Sequence, residues 1–248
     1  MPTLQKVAFC LAVTALLGAG IELIQHFIPE RNASITDLYR DISGSMIALF
    51  FLTIKATTSN FIRVTGILCG SAILALTFFS LIQAIRDEIA AWQEFPILAD
   101  FEHEYDLRRW EVGYSRVARV ASPVRTGKFA LKIDFSSEAY SWIALAGFPR
   151  KWVGYTAICF SVYDPDGPVE LNFRVHDKLH RRSQEYSDRY NARFFIVQGW
   201  NDIRVELYDI LNAPKGRLMD MNNVEGIVFF VMGQNGDRTL YLDSLRLE

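Results

Sequence analysis

The chain has 248 residues, of which 22% are charged and 50% hydrophobic, and a net charge of -2. That length accommodates two modest domains, and the near-neutral balance offers no basic surface of the kind that binds nucleic acid. Its three cysteines, Cys10, Cys69 and Cys159, are scattered without CxxC or metal-ligand spacing, which argues against a disulfide framework or zinc site and reads them as small buried apolar residues.

The apolar excess lies almost entirely before Trp92. Residues 7–27 are nearly all apolar, and at about 1.5 Å per residue they span roughly 30 Å of hydrocarbon. Only Lys6 precedes them, and His26-Phe27-Ile28-Pro29 stands where a small-residue cleavage site would follow. A retained helix is therefore expected, not a signal peptide. A second helix is expected from Ile35 to about Thr57. A third covers 61–85 and ends at Arg86-Asp87-Glu88, with Trp92 and Phe95 where an aromatic belt would lie. Lys6, Lys55 and Arg63 mark the cytoplasmic side, which puts everything after the third span outside; Arg31 and Arg40 in the outer loop weaken that asymmetry.

Polar residues interrupt the first two helices. Gly18, Glu22 and Gln25 share one helical face, as do Asp37, Asp41, Gly44 and Ala48, and Arg31 lies between them as a counter-ion. An ionisable group at membrane depth points to function. Structural roles compete: Ser34-Ile35-Thr36-Asp37 fits a capping box, Asp41 suits a helix first turn, Glu22 and Arg31 make a structural pair, and His26 is interfacial. Gly66 and Gly70 in the third helix have the spacing of a helix-packing groove.

The run Glu22-x-x-Gln25, then Pro29, Arg31, Ser34, Asp37, Asp41 and Gly44 resembles the signature of VanZ-like membrane proteins. The resemblance covers about residues 7–57. Asp41 stands for the family's Asn, Ala48 for its second Gly, and the family's preceding helix has no counterpart. It implies a place in the bacterial envelope and a link to glycopeptide (teicoplanin) resistance, with no settled chemistry. It also supplies an enzyme alternative, in which Glu22, Arg31, Asp37 and Asp41 form an acid–base site on a lipid-linked cell-wall substrate.

From Ile97 the hydrophobic period becomes two. Phe129, Leu131, Ile133 and Phe135 alternate with polar residues, as do Leu171, Phe173 and Val175, and Ile203, Val205 and Leu207. Turn signals such as Pro165-Asp166-Gly167-Pro168 and Asn235-Gly236-Asp237 separate the runs. This predicts an antiparallel β-sandwich over residues 93–248, after a helical region over 1–92. The run from Gly226 to Met232 is apolar on both faces, as a central strand requires, and helix is expected only as a turn near 207–211.

Asp100-Phe101-Glu102, Trp110, the run from Gly127 to Ile133, Gly199-Trp200-Asn201-Asp202 and the closing run from Leu240 to Leu247 resemble galactose-binding-like jelly rolls, the fold of many carbohydrate-binding modules. That resemblance implies a structural calcium between first and last strands, with Glu102 and Asp243 as its side-chain ligands. Sugar recognition needs aromatic faces and planar polar groups. Tyr140 and Trp142 share a strand face, and the polar loop 176–190 carries His176, His180, Tyr186, Arg189 and Tyr190; packing is the competing role for each aromatic. Arg181-Arg182 is a solvated pair or meets anionic lipid headgroups.

Together these features predict a multi-pass protein of the bacterial plasma membrane that displays a glycan-binding jelly roll outside the cell. Its partners are membrane lipid and a glycan or cell-wall polysaccharide. Binding is favoured over catalysis, and a protein-binding scaffold is a third possibility.

Overall fold

A computed structural model of the chain describes Gly44 and residues 59–180, 185–234 and 236–248. The first two expected spans lie outside the described residues, and with them Glu22, Arg31, Asp37 and Asp41. Helix α1 (Asn60–Glu94) contains the third apolar run and continues through Arg86-Asp87-Glu88. Good helix formers carry it onward, and Pro96, which lacks an N–H and restricts Phe95, follows its end. The sequence boundary at 92/93 falls inside this helix. Among the described residues no helix is long and apolar enough to cross a membrane. The chain divides into two compact units, Met1–Ile85 and Arg86–Glu248.

The second unit is the expected sandwich. Its strands are β1 (Ile97–Ala99), β2 (Trp110–Gly113), β3 (Ser115–Val120), β4 (Ala130–Phe135), β5 (Tyr140–Leu145), β6 (Ala157–Asp164), β7 (Val169–Asp177), β8 (Tyr190–Ile196), β9 (Gly199–Glu206), β10 (Val224–Met232) and β11 (Arg238–Leu247). One sheet runs β3-β4-β11-β6-β9 with β1 on β11, and the other runs β2-β5-β10-β7-β8. All of their pairings are antiparallel. Two short helices interrupt the strands. Helix α2 (Glu104–Arg108) was not expected, whereas α3 (Leu207–Leu211) occupies the anticipated turn.

The alternating residues do what their period demands. Leu131, Ile133 and Phe135 of β4, Leu171, Phe173 and Val175 of β7, and Ile143 and Leu145 of β5 all point between the sheets and are buried. Phe160 of β6 meets Phe173 and Phe229 across the gap at ring separations of 5.0 and 5.1 Å. Each such side chain contributes about 1.5–3 kcal/mol by leaving water. As expected, β10 is central, paired with β5 on one side and β7 on the other. Cys159 is buried on β6, in line with its apolar reading, whereas Cys69 on α1 is exposed and departs from it.

Candidate functional site

The same alternation that fills the core sets the second sheet's other face. On β5, Ser141, Ile143 and Leu145 turn inward, so Tyr140, Trp142 and Ala144 turn outward and stay partly exposed. On β7 the outward set is Glu170, Asn172, Arg174 and His176, interleaved with the buried apolar residues. Strand register brings these sets into rows. Gly113, Trp142, Phe230, Asn172 and Arg193 stand side by side across five strands. The next row is Glu111, Ala144, Val228, Arg174 and Asn191. Gly226 and His176 follow. Tyr140 packs its ring 5.0 Å from that of Phe230.

Two glycines let the large rings lie flat. A Cβ on Gly113 would stand 2.1 Å from Trp142 Nε1, and one on Gly226 would stand 2.0 Å from His176 Cε1. Both rings therefore cover the backbone of the neighbouring strand. The result is a platform of Trp142 and Tyr140 on one side of the face, with Asn172, Arg174, His176 and Asn191 on the other.

The chain between β7 and β8 is tied down at its base. Asp177, fully buried, accepts two hydrogen bonds from the Arg217 guanidinium at 2.5 and 2.9 Å, and others from the backbone N–H of Asp220 and His180. Arg217 also donates to Asp188 at 2.6 Å. Hydrogen bonds from Arg217 and these backbone groups outweigh burial and hold the Asp177 carboxyl below its usual range. This network joins the two ends of the loop that the sequence marked as polar.

Of the loop residues expected to bind ligand, His176 and Arg189 come to the face that Trp142 and Tyr140 share. Burial, then Arg174, His180 and Arg189, push His176 down to about 4, so its ring is neutral at physiological pH. The Arg189 Nε donates to the Asn191 side chain at 3.1 Å, and its guanidinium lies over the exposed Tyr186 ring. His180 is buried, 3.6 Å from Asp188 and with its ring 5.1 Å from that of His176. Tyr190 turns the other way: strand parity places it opposite Val175, and its ring packs toward the core near Phe173. Arg181 and Arg182 lie outside the described residues.

Glu102 and Asp243 hold a loop. Glu102 Oε1 accepts the N–H groups of Lys128 and Phe129, and Asp243 Oδ2 accepts those of Arg125 and Thr126. The Lys128 N–H is the main cause that lowers the Glu102 carboxyl, whereas burial raises that of Asp243. Calcium takes about six to eight oxygen ligands, yet Glu102 Oε1 and Asp243 Oδ2 are taken up by backbone N–H donors and the Ser244 hydroxyl donates to Asp243 Oδ1. Among the described residues no three His, Cys, Asp or Glu side chains gather to hold a metal. The pair as arranged does not fit calcium.

An open groove of about 400 Å³ lies on the outer side of the other sheet, lined by Ser161, Asp202, Arg204 and Arg246. Its arginines pair with Glu206 and Glu248, so the groove presents satisfied charges; the rings of Tyr241, Tyr163 and Trp200 form a row elsewhere on that face, packed on one another.

The chain matches no family model and no curated protein, so the VanZ-like resemblance of residues 7–57 gains no support from either. Among solved structures, the sandwich is similar to a family 11 carbohydrate-binding module from Clostridium thermocellum in complex with a β-1,3-1,4-mixed-linked tetrasaccharide. There the TM-score is 0.48 and the identity 13%, covering 61% of this chain and 93% of that one. It is also similar to an exo-β-agarase (TM-score 0.49, 16% identity, 61% of this chain and 24% of that one). A third similar structure is the xylan-binding domain from Paenibacillus barcinonensis (TM-score 0.40, 18% identity, 60% and 90%). At such identity and overlap, no residue acquires a role from these likenesses.

Proposed function

We propose that the sandwich binds a glycan across the open face of its five-stranded sheet, and that the protein acts by binding and not by catalysis. The observation that carries this is the indole of Trp142, spread over Gly113 beside Tyr140 on a sheet face that also bears Arg174 and Asn191, with Asn172 buried between the strands' outward rows. A sugar ring has apolar C–H faces and a rim of hydroxyls. Flat aromatic rings suit the former and amide and guanidinium groups the latter. Pre-positioned side chains on strands also lose little entropy on binding. The reading is tested by electrophoresis of the full-length protein through gels containing β-glucan, xylan, agarose or acidic polysaccharides. Retardation by at least one is expected. Unchanged mobility in all of them overturns glycan binding.

We further propose a bacterial plasma-membrane location with the sandwich outside. Support comes from the sequence alone, in the apolar runs 7–27, 35–57 and 61–85 and the placement of Lys6, Lys55 and Arg63; helix α1, which holds the third run, is not itself long and apolar enough to cross a membrane. Membrane lipid is then a second partner.

A further inference from the structure

Among the described residues, Arg174 on this face is buried in part and has no acidic partner. Most arginines of the sandwich have acidic partners: Arg109 has Asp106, Arg125 has Asp202, Arg217 has Asp177 and Asp188, and Arg238 has Asp164. Arg174 has none among the described residues, and its Nε is buried with no acceptor. The groups that act on its charge are the Tyr140 hydroxyl and a second cation, Arg189; burial is the main influence disfavouring that charge. Arginine does not respond by releasing its proton. His176 responds instead by staying neutral, with its Nδ1 also buried and unpartnered. Arg193, in the neighbouring row, lies 3.7 Å from Glu170, both of them exposed. Among the described residues, the middle of the face thus gathers positive charge beside the ring platform, and no acidic side chain pairs with Arg174.

We propose that the ligand is an acidic glycan, whose carboxylate or sulfate pairs with Arg174 while its sugar ring lies on Trp142 and Tyr140. This rests on the glycan reading above and narrows it to a substrate class. A planar guanidinium fork matches two oxygens of a carboxylate or sulfate. A neutral hydroxyl would accept one hydrogen bond and leave the charge uncompensated. Arg189 adds attraction at longer range, and its bond to Asn191 fixes it on the same side of the sheet.

The test titrates the full-length protein with oligogalacturonate and oligomannuronate, with their methyl esters, which keep the rings and lose the charge, and with sulfated chondroitin oligosaccharides. At least one acidic probe is expected to bind about tenfold or more tightly than its neutral counterpart, with affinity falling as salt rises. Whether the uronates or the sulfated chain binds identifies the source of the anion. Arg174→Gln is expected to abolish that preference, and to raise the melting temperature because an unpaired buried charge is gone. If Arg174→Gln fails to fold, the acid-against-ester comparison on the unaltered protein still decides. Equal affinity for acid and neutral forms, or binding to neutral glycans alone, overturns the anionic ligand and leaves glycan binding standing. Binding to no probe overturns the anionic ligand, and glycan binding falls with it only where the gels of β-glucan, xylan and agarose also leave mobility unchanged.

Discussion

Gly113 and Gly226 set how the binding face is presented, because each lies beneath a ring that a side chain there would displace. Gly113→Val is expected to lift the Trp142 indole, lower glycan affinity severalfold and shift tryptophan emission, at a modest cost of about 1 kcal/mol on a partly exposed edge strand. Titration and fluorescence on that variant check it; unchanged affinity would show that the indole's position is immaterial. His176 gives a pH signature. Its folded value is depressed to about 4, against about 6.5 in an unfolded chain. Between those values the unfolded chain holds a proton that the folded protein refuses. Stability is therefore full above about pH 6.5 and falls as pH drops towards about 4, by up to about 1.4 kcal/mol per pH unit. His180 is depressed too and adds to the same slope. Denaturant titrations of His176→Gln should show a shallower fall over that window; an identical slope would place the proton uptake elsewhere.

Among the elements, the loop between β7 and β8 depends on Asp177. Replacing it with Asn leaves Arg217 facing a neutral amide in a buried setting, which should cost roughly 3 kcal/mol or more. It should also weaken glycan binding, because the loop carries Arg189 to the face. Thermal melts and titrations of Asp177→Asn read both effects, and the double variant with Arg217→Met should recover part of the stability. A variant as stable as the parent would show that the loop is held by other contacts. Strands β4, β7 and β10 were legible in the sequence because period-two alternation is a local signal that burial on one face imposes. That Tyr140 and Trp142 share one strand face was legible for the same reason; which way that face turns was not. Helix α2 was not, since five residues are too few to display a helical period. Tyr190 was read as part of a polar loop, yet it starts β8 and faces inward, a matter of strand parity that no loop composition reveals. Arg174 and Asn172 were passed over as the solvated half of an alternating strand. Their juxtaposition with Trp142 depends on β10 lying between β5 and β7, a long-range pairing that adjacent residues do not encode.

For the whole molecule, the charge asymmetry around the apolar runs predicts an extracytoplasmic sandwich. Protease added to intact cells, with any outer membrane permeabilised, should digest residues 97–248; protection until the plasma membrane is breached would reverse the orientation. The acid–base alternative for Glu22, Arg31, Asp37 and Asp41 concerns residues outside those described, so its support remains the sequence pattern alone. The sandwich carries its own core of Phe160, Phe173 and Phe229, independent of the binding face. Loss of a binding ring and loss of fold are therefore separable. Glycan binding through Trp142 is tested most directly by measuring affinity and melting temperature together on Trp142→Ala in the full-length protein, using whichever polysaccharide retards the parent. The expected result is abolished binding with the melting temperature nearly unchanged, because the indole lies outside the core. A stability loss of roughly 3–5 kcal/mol, the cost of removing a core aromatic, or undiminished binding by the folded variant, would contradict it.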